Sequence, residues 1–206
     1  MAGSITDLLR HPIKGFTPER IRHATLAPGA AFPCDRLFAV ENGPSGFDPD
    51  APTFIPKGRF TVLAKIARIA RVNTAYDEET DRLRASAPGL TDFDDCLREA
   101  EGQARFADWL SAALGDEATG PLRTIDGRGH RFLDHPQGHV SIVNLASVRA
   151  LQTAIERPVD PLRFRANIYV EGWPAWAENG WQDRNLALGH ARSRLRTHHA
   201  LRGDRG

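Results

Sequence analysis

The sequence predicts a mostly β fold of the α+β class, in which two or three helices accompany many short strands. Short runs of β-branched and aromatic residues recur along the chain, and proline and glycine separate them. Helical periodicity is clear only in residues 99–114 and 145–156. Because strands and helices do not alternate regularly, a doubly wound parallel sheet is disfavoured. The pattern favours a β-rich barrel or sandwich with appended helices.

A first domain is predicted over residues 1–90. It ends where Pro88 and Gly89 close a β-hairpin. Residues 60–71 place apolar side chains on a helical stripe, but their residue types fit a strand as well. Residues 42–58 contain four prolines and three glycines, which predicts a loop that wraps a surface or borders a site. The strands predicted here are 4–10, 20–27, 37–41, and the hairpin pair 71–76 and 82–87.

A second domain is predicted over residues 91–206. In its first helix, 99–114, Phe106, Trp109 and Leu110 share one face and Gly115 supplies the stop. Asn144 is predicted to cap the second helix, 145–156. The strands predicted in this domain are 121–125, 130–134, 140–143, 165–172, 186–189 and 192–197.

Composition excludes several classes of function. The 206 residues carry a net charge of +1, so no bulk field favours nucleic acid or an anionic membrane as a partner. No apolar run approaches the roughly 18 residues of a membrane span, and no secretory leader is evident. Two cysteines make no disulfide framework. We therefore expect a cytoplasmic protein without a nucleic-acid or membrane partner.

A candidate anion site surrounds the start of the second helix. A helix that opens directly after a strand presents free backbone N–H groups to an oxyanion. Side-chain donors and cations that could join them are Ser141, Asn144, Ser147, Arg163, Arg165 and Asn167. The alternative is that Asn144 only caps the helix and that the arginines are solvated.

A second candidate group lies in the broken loops near the N-terminus. Lys14 and the run Cys34-Asp35-Arg36 each adjoin a strand, where ligand-binding side chains commonly lie. The alternative is that Asp35 and Arg36 only stabilise a turn by hydrogen bonding within it. Arg36 is expected to lower the pKa of the Cys34 thiol if that thiol is exposed, whereas a small buried apolar residue is the simpler interpretation.

Other familiar chemistries lack their motifs. The histidines at 130, 135 and 139 and at 190, 198 and 199 have no cysteine or carboxylate at zinc spacing. The sequence contains no GxSxG, Walker A or GxGxxG motif. It identifies no catalytic residue.

Longer motifs carry a family resemblance. The opening HPIKGFTPERIRHATLAPGAAFPCDRLFAVEN resembles the N-terminal β-barrel domain that precedes a MOSC domain (molybdenum cofactor sulfurase C-terminal). The later HVSIVNLASVRAL, DPLRFRANIYVEG and PAWAENGWQDRNLALG are similar to the MOSC domain itself, whose signature includes R-F-R-x-N and a following E-x-x-W. The resemblance covers most of residues 4–190 in the right order.

The resemblance implies a MOSC-type β-barrel with appended helices, preceded by a β-barrel-like domain, and an anionic pterin molybdenum cofactor bound between them. Relatives reduce N-hydroxylated compounds with electrons from a redox partner protein, and others are thought to carry sulfur. Pyridoxal phosphate binding is a further expectation for the family. Carried over by motif, the cofactor-binding residues are Lys14, Arg36, Arg165 and Asn167, with Ser141, Asn144 and Ser147 near the phosphate.

Two departures from the family pattern concern cysteine. Cys34 replaces the glycine of G-D-R, and no cysteine follows Cys96, although the family pattern expects an Arg-Cys pair whose thiolate binds molybdenum. We therefore expect a C-terminal end that is incomplete or altered and no assigned metal ligand, with Cys34 kept as a candidate. A molybdenum oxidoreductase, a non-catalytic anion-binding protein and a sulfur carrier using Cys34 remain the alternatives.

Overall fold

A computed structural model describes residues 2–135, 140–182, 184–188 and 191–194. Its two α-helices are α1 (Ala100–Leu114) and α2 (Leu145–Ile155). Its strands are β1 (Ser4–Arg10), β2 (Glu19–Ile21), β3 (Phe38–Asn42), β4 (Asn73–Asp77), β5 (Arg82–Ser86), β6 (Phe93–Cys96), β7 (Leu122–Asp126), β8 (Ile142–Asn144), β9 (Ile168–Glu171), β10 (Asn185–Leu188) and β11 (Ala191–Arg194). The mostly β, α+β prediction is confirmed. Over the described residues the sheets are open rather than closed barrels.

The chain divides into two compact units. The larger unit comprises residues 8–140, and the smaller unit comprises residues 1–7 with 141–206. The predicted domain boundary near residue 90 stays a prediction. No helix in the described part of the chain is long and apolar enough to cross a membrane.

The larger unit is built on two antiparallel sheets and α1. The sheet β4-β5-β6 contains the predicted hairpin, with Tyr76 opposite Leu83, and the second sheet pairs β3 with β7. Phe106, Leu110 and Leu114 of α1 are fully buried in the main core. Their spacing along the helix gives α1 one apolar face, so the predicted helix and hairpin are confirmed.

Two predicted strands of the larger unit are wrong or much shorter. Residues 130–134 form no strand because their backbone groups bond to scattered partners. Leu133 N–H donates to Arg131 O, Phe132 N–H donates to Arg36 O, and the Phe132 carbonyl accepts from Lys14. The predicted strand 20–27 shrinks to β2, which pairs with the end of β1. The ambiguous segment 60–71 is neither helix nor strand over most of its length and ends in a 3-10 turn, Ala67–Arg71.

The smaller unit places α2 directly after a parallel strand pair. Strand β8 pairs with β9 in parallel, and the start of β1 is their neighbour on the other side of β9, where Thr6 donates to the Tyr169 carbonyl. Asn144 ends β8 and caps α2, since its side-chain oxygen accepts from Ala146 N–H at 3.1 Å. This confirms the predicted cap and brings the start of α2 to the end of β8.

Candidate functional site

Asn144 and Ser147 form a pair of buried donors at the start of α2. Their exposed fractions are 4% and 6%. Asn144 Nδ2 donates to Glu178 Oε2 at 2.8 Å, and Ser147 Oγ donates to Glu178 Oε1 at 2.6 Å. One carboxylate therefore takes a hydrogen bond through each of its two oxygens. Asn144 and Ser147, both predicted binding residues, thus donate to the same oxyanion, which is the Glu178 carboxylate of this chain.

Ser141 and Asn167 form a second predicted pair in the same unit. The Asn167 side-chain oxygen accepts from the backbone N–H and the hydroxyl of Ser141, at 3.1 and 3.0 Å. The Asn167 backbone N–H lies 3.0 Å from the Ser141 carbonyl. These bonds tie the entrance of β9 to the residue just before β8, so both side chains also have a structural role.

Arg165 ends the turn that precedes β9. The 3-10 turn Pro161–Phe164 begins at Asp160, whose side chain accepts from Leu162 N–H. Arg165 then adopts the left-handed conformation with φ 53°, and its side chain is half-buried, whereas Arg163 is exposed. Arg163 and Arg165, both candidate cations of the predicted anion site, therefore differ in burial.

In the larger unit, Lys14 is a buried cation with a carboxylate partner. Its Nζ lies 2.7 Å from Asp134 Oδ1 and 2.9 Å from the Phe132 carbonyl oxygen. Burial alone would raise the pKa of the Asp134 carboxyl, but the hydrogen bond and charge of Lys14 outweigh it and lower that pKa. The charge of Arg36 also lowers it, which places both predicted cations in the electrostatic surroundings of Asp134.

Arg36 lies in a buried pair with Asp35. Arg36 Nη1 contacts Asp35 Oδ2, and the other oxygen of Asp35 accepts from His11 N–H at 2.7 Å. Burial raises the pKa of Asp35, but the His11 hydrogen bond and the Arg36 charge together hold it below its usual value. Asp35 is thus an ionised carboxylate in the interior at neutral pH.

Cys34 differs from the prediction. Burial, followed by a hydrogen bond to Glu78 at 3.2 Å, raises the pKa of the Cys34 thiol to about 11. Arg10 and Arg131 oppose the shift, and Arg36 is not among its causes. The expectation that Arg36 lowers this pKa is wrong because Arg36 is paired with Asp35. Cys34 also has φ 51°, a left-handed backbone that explains why glycine suits this position.

The sequence alone did not predict the two carboxylates that bond to the predicted binding residues. Glu178 and Asp134 were absent from the predicted cofactor-binding residues, and the E-x-x-W pattern that begins at Glu178 was the available signal for the first. Within the described ranges, no group of three or more His, Cys, Asp or Glu side chains could hold a metal ion. The histidines at 139, 190, 198 and 199 lie outside the described residues.

Comparison with known families gives two adjacent matches. Residues 2–119, more than half of the chain, match the MOSC N-terminal beta barrel domain, and residues 129–199 match the MOSC domain. The chain belongs to the MOSC family. A search of curated proteins found no match.

MOSC membership accounts for the order of the motifs and for the fold class. The MOSC family is associated with molybdenum cofactor binding. The donors Asn144, Ser147 and Asn167 and the cation Arg165 all lie within the MOSC match, whereas Lys14 and Arg36 lie within the N-terminal domain match. Pyridoxal phosphate binding by this MOSC protein stays a prediction.

Proposed function

We propose that this MOSC protein binds the molybdenum cofactor, and that it holds the phosphate of the pterin at the start of α2. The observation that carries the proposal is the placement of one carboxylate across Asn144 and Ser147. Carboxylate and phosphate oxygens both accept charge-assisted hydrogen bonds, so a donor pair that binds the first has the chemistry to bind the second. Asn144 is held at the end of β8, and Ser147 is held in the first turn of α2.

Arg165, a cation predicted from the family pattern, lies in the same unit as these donors and suits the same ligand. A phosphate monoester carries a charge of about −1.5 to −2 at pH 7, which favours arginine and lysine nearby. Arg165 follows the turn at 161–164 in the MOSC domain. Lys14 and Arg36, buried cations of the other unit, stay predicted cofactor-binding residues. In this proposal Asn167 positions Ser141 through its side-chain oxygen.

The residues fit the anionic pterin better than they fit the metal. A cysteine binds molybdenum as its thiolate, and the pKa of about 11 keeps the Cys34 thiol protonated at neutral pH. Reduction of N-hydroxylated compounds, for which the bound cofactor would supply two-electron chemistry, would need such a ligand. We therefore propose cofactor binding, rather than that reductase activity, as the function.

A persulfide carrier based on Cys34 has the same difficulty. Sulfur transfer requires a nucleophilic thiolate. The Cys34 thiol is instead partly buried and donates to Glu78, so its thiolate fraction at pH 7 is small. The high pKa of Cys34 therefore disfavours sulfur transfer, which leaves cofactor binding as the proposed function.

The test is to express the protein in a host that makes the cofactor and to measure molybdenum and oxidised, fluorescent pterin in the purified protein. We expect bound pterin. Ser147→Ala and Arg165→Ala should each weaken its retention by about 1.5–3 kcal/mol, the usual effect of losing a hydrogen bond to a charged group. Arg163→Ala, a change at an exposed arginine of the same turn, is the matched control.

Protein that retains neither pterin nor molybdenum would contradict the proposal. So would equal retention by Ser147→Ala, Arg165→Ala and the Arg163→Ala control. Circular dichroism of each variant separates loss of binding from loss of folding.

A further inference from the structure

We propose that Glu178 is an internal competitor for the phosphate of the ligand, and that its carboxylate must leave Asn144 and Ser147 before an external oxyanion binds there. This inference rests on the proposed function. It adds a regulatory contact to the site, because the protein then exists in a closed form, with Glu178 on the donors, and an open form that accepts the ligand.

The hydrogen-bonding capacity of the two donors is fully used in the closed form. The two N–H groups of Asn144 Nδ2 go to Glu178 Oε2 and to the Pro174 carbonyl, at 2.8 and 2.9 Å. The only hydroxyl hydrogen of Ser147 goes to Glu178 Oε1 at 2.6 Å. A phosphate oxygen therefore obtains these donors only when the carboxylate departs.

Among the described residues, the hydrogen bonds that the Glu178 carboxylate accepts come from two neutral side chains, Asn144 and Ser147. Neutral donors hold a carboxylate less firmly than an arginine fork does. A phosphate, with more charge and three acceptor oxygens, competes well for the same donors.

The segment that carries Glu178 is also strained in the closed form. Trp176 adopts φ 64°, a left-handed conformation that is unfavourable for a bulky residue, and the residue is 46% exposed. The backbone N–H of Trp176 donates to Ser147 Oγ at 2.8 Å, so the same serine bonds to the strained residue and to the carboxylate. Movement of this segment away from Ser147 would break the bonds of both Trp176 and Glu178 and allow the strain to relax.

The test measures binding of inorganic phosphate by isothermal titration calorimetry at pH 7 and constant ionic strength. Only the open form binds phosphate, so the apparent affinity equals the affinity of the open form multiplied by the fraction of protein that is open. We expect Glu178→Ala to bind phosphate at least about tenfold more tightly than the unchanged protein. Glu178→Gln, which keeps the shape and removes the charge, should also bind more tightly. Asn179→Ala, a change at the exposed neighbouring residue, should have no effect.

Equal phosphate affinity in Glu178→Ala, Glu178→Gln and the unchanged protein would overturn the inference while the cofactor proposal stands. Failure of all three to bind phosphate would also overturn it, and pterin retention would then decide the proposed function separately. If both variants unfold, Glu178 is a structural tie and the inference is wrong. Tryptophan fluorescence gives a second readout, since Trp176 should change its emission when phosphate opens the segment.

Discussion

Lys14 Nζ lies 2.7 Å from a carboxylate oxygen of Asp134, and the same ammonium group donates to the Phe132 carbonyl. A lysine predicted to bind an anionic cofactor thus already has an anionic partner inside its own unit. The same arrangement recurs at Arg36, which pairs with Asp35. The charged groups of this region therefore contribute to the stability of the fold.

Lys14→Met should destabilise the protein by about 1–3 kcal/mol, because the buried Phe132 carbonyl loses its donor. Urea unfolding measures the change. Lys57→Met, a substitution at an exposed lysine, should change stability by less than about 0.5 kcal/mol. Equal effects of the two substitutions would show that Lys14 has no structural role.

Acid should remove a stabilising contribution of Asp35. Its folded pKa is lower than its ordinary value, so its contribution is fully present above about pH 4 and is lost as pH falls through the folded pKa. The stability of the protein should therefore fall more steeply below pH 4 than that of Asp35→Asn. Urea midpoints measured between pH 2 and pH 7 test this expectation.

Asp108→Asn, at an exposed position on α1, is the matched control for that experiment. It should keep the acid dependence of the unchanged protein. If the steep acid limb persists in Asp35→Asn, another group is responsible for it.

The Cys34 thiol should react slowly with thiol reagents. Because its pKa is about 11, the reaction rate in a Cys96→Ser background should rise by about tenfold per pH unit between pH 7 and pH 9, without a plateau. Glu78→Gln should lower the pKa of Cys34 and increase the rate at pH 7, since it removes the negative charge that disfavours the thiolate. A plateau near pH 8.5, the value of an ordinary cysteine, would contradict the assignment.

Gly102→Ala should destabilise the protein although alanine favours helices. A Cβ at this buried position of α1 would overlap the backbone carbonyl of Cys96. The overlap should cost about 1–3 kcal/mol, which outweighs the helix-propensity gain of about 1 kcal/mol. Thermal unfolding measures the sign, and an increase in melting temperature would show that β6 can shift.

Ala104→Gly is the companion variant on the exposed face of α1. It should lose about 1 kcal/mol from propensity alone. Together the two variants distinguish close packing of α1 on β6 from intrinsic helix preference.

Local sequence signals were sufficient for many of the elements. Helix α1, the β4–β5 hairpin and the Asn144 cap follow from side-chain period, turn residues and hydrogen bonding within a few positions. Family motifs placed the fold class and the phosphate-binding candidates. The predicted strand at 130–134 is wrong because the distant Lys14 ammonium group donates to the Phe132 and Leu133 carbonyls, which a strand would use for pairing.

The sequence by itself determined a mostly β, α+β chain with MOSC motifs and a set of donors at the start of α2. Only the tertiary structure decided which acids meet those residues: Glu178 is 31 positions from Ser147, and Asp134 is 120 positions from Lys14. It also decided the high pKa of Cys34, whose acceptor Glu78 is 44 positions away. Local preferences act over a few bonds, whereas burial and charge pairing depend on which distant segments the fold brings into contact.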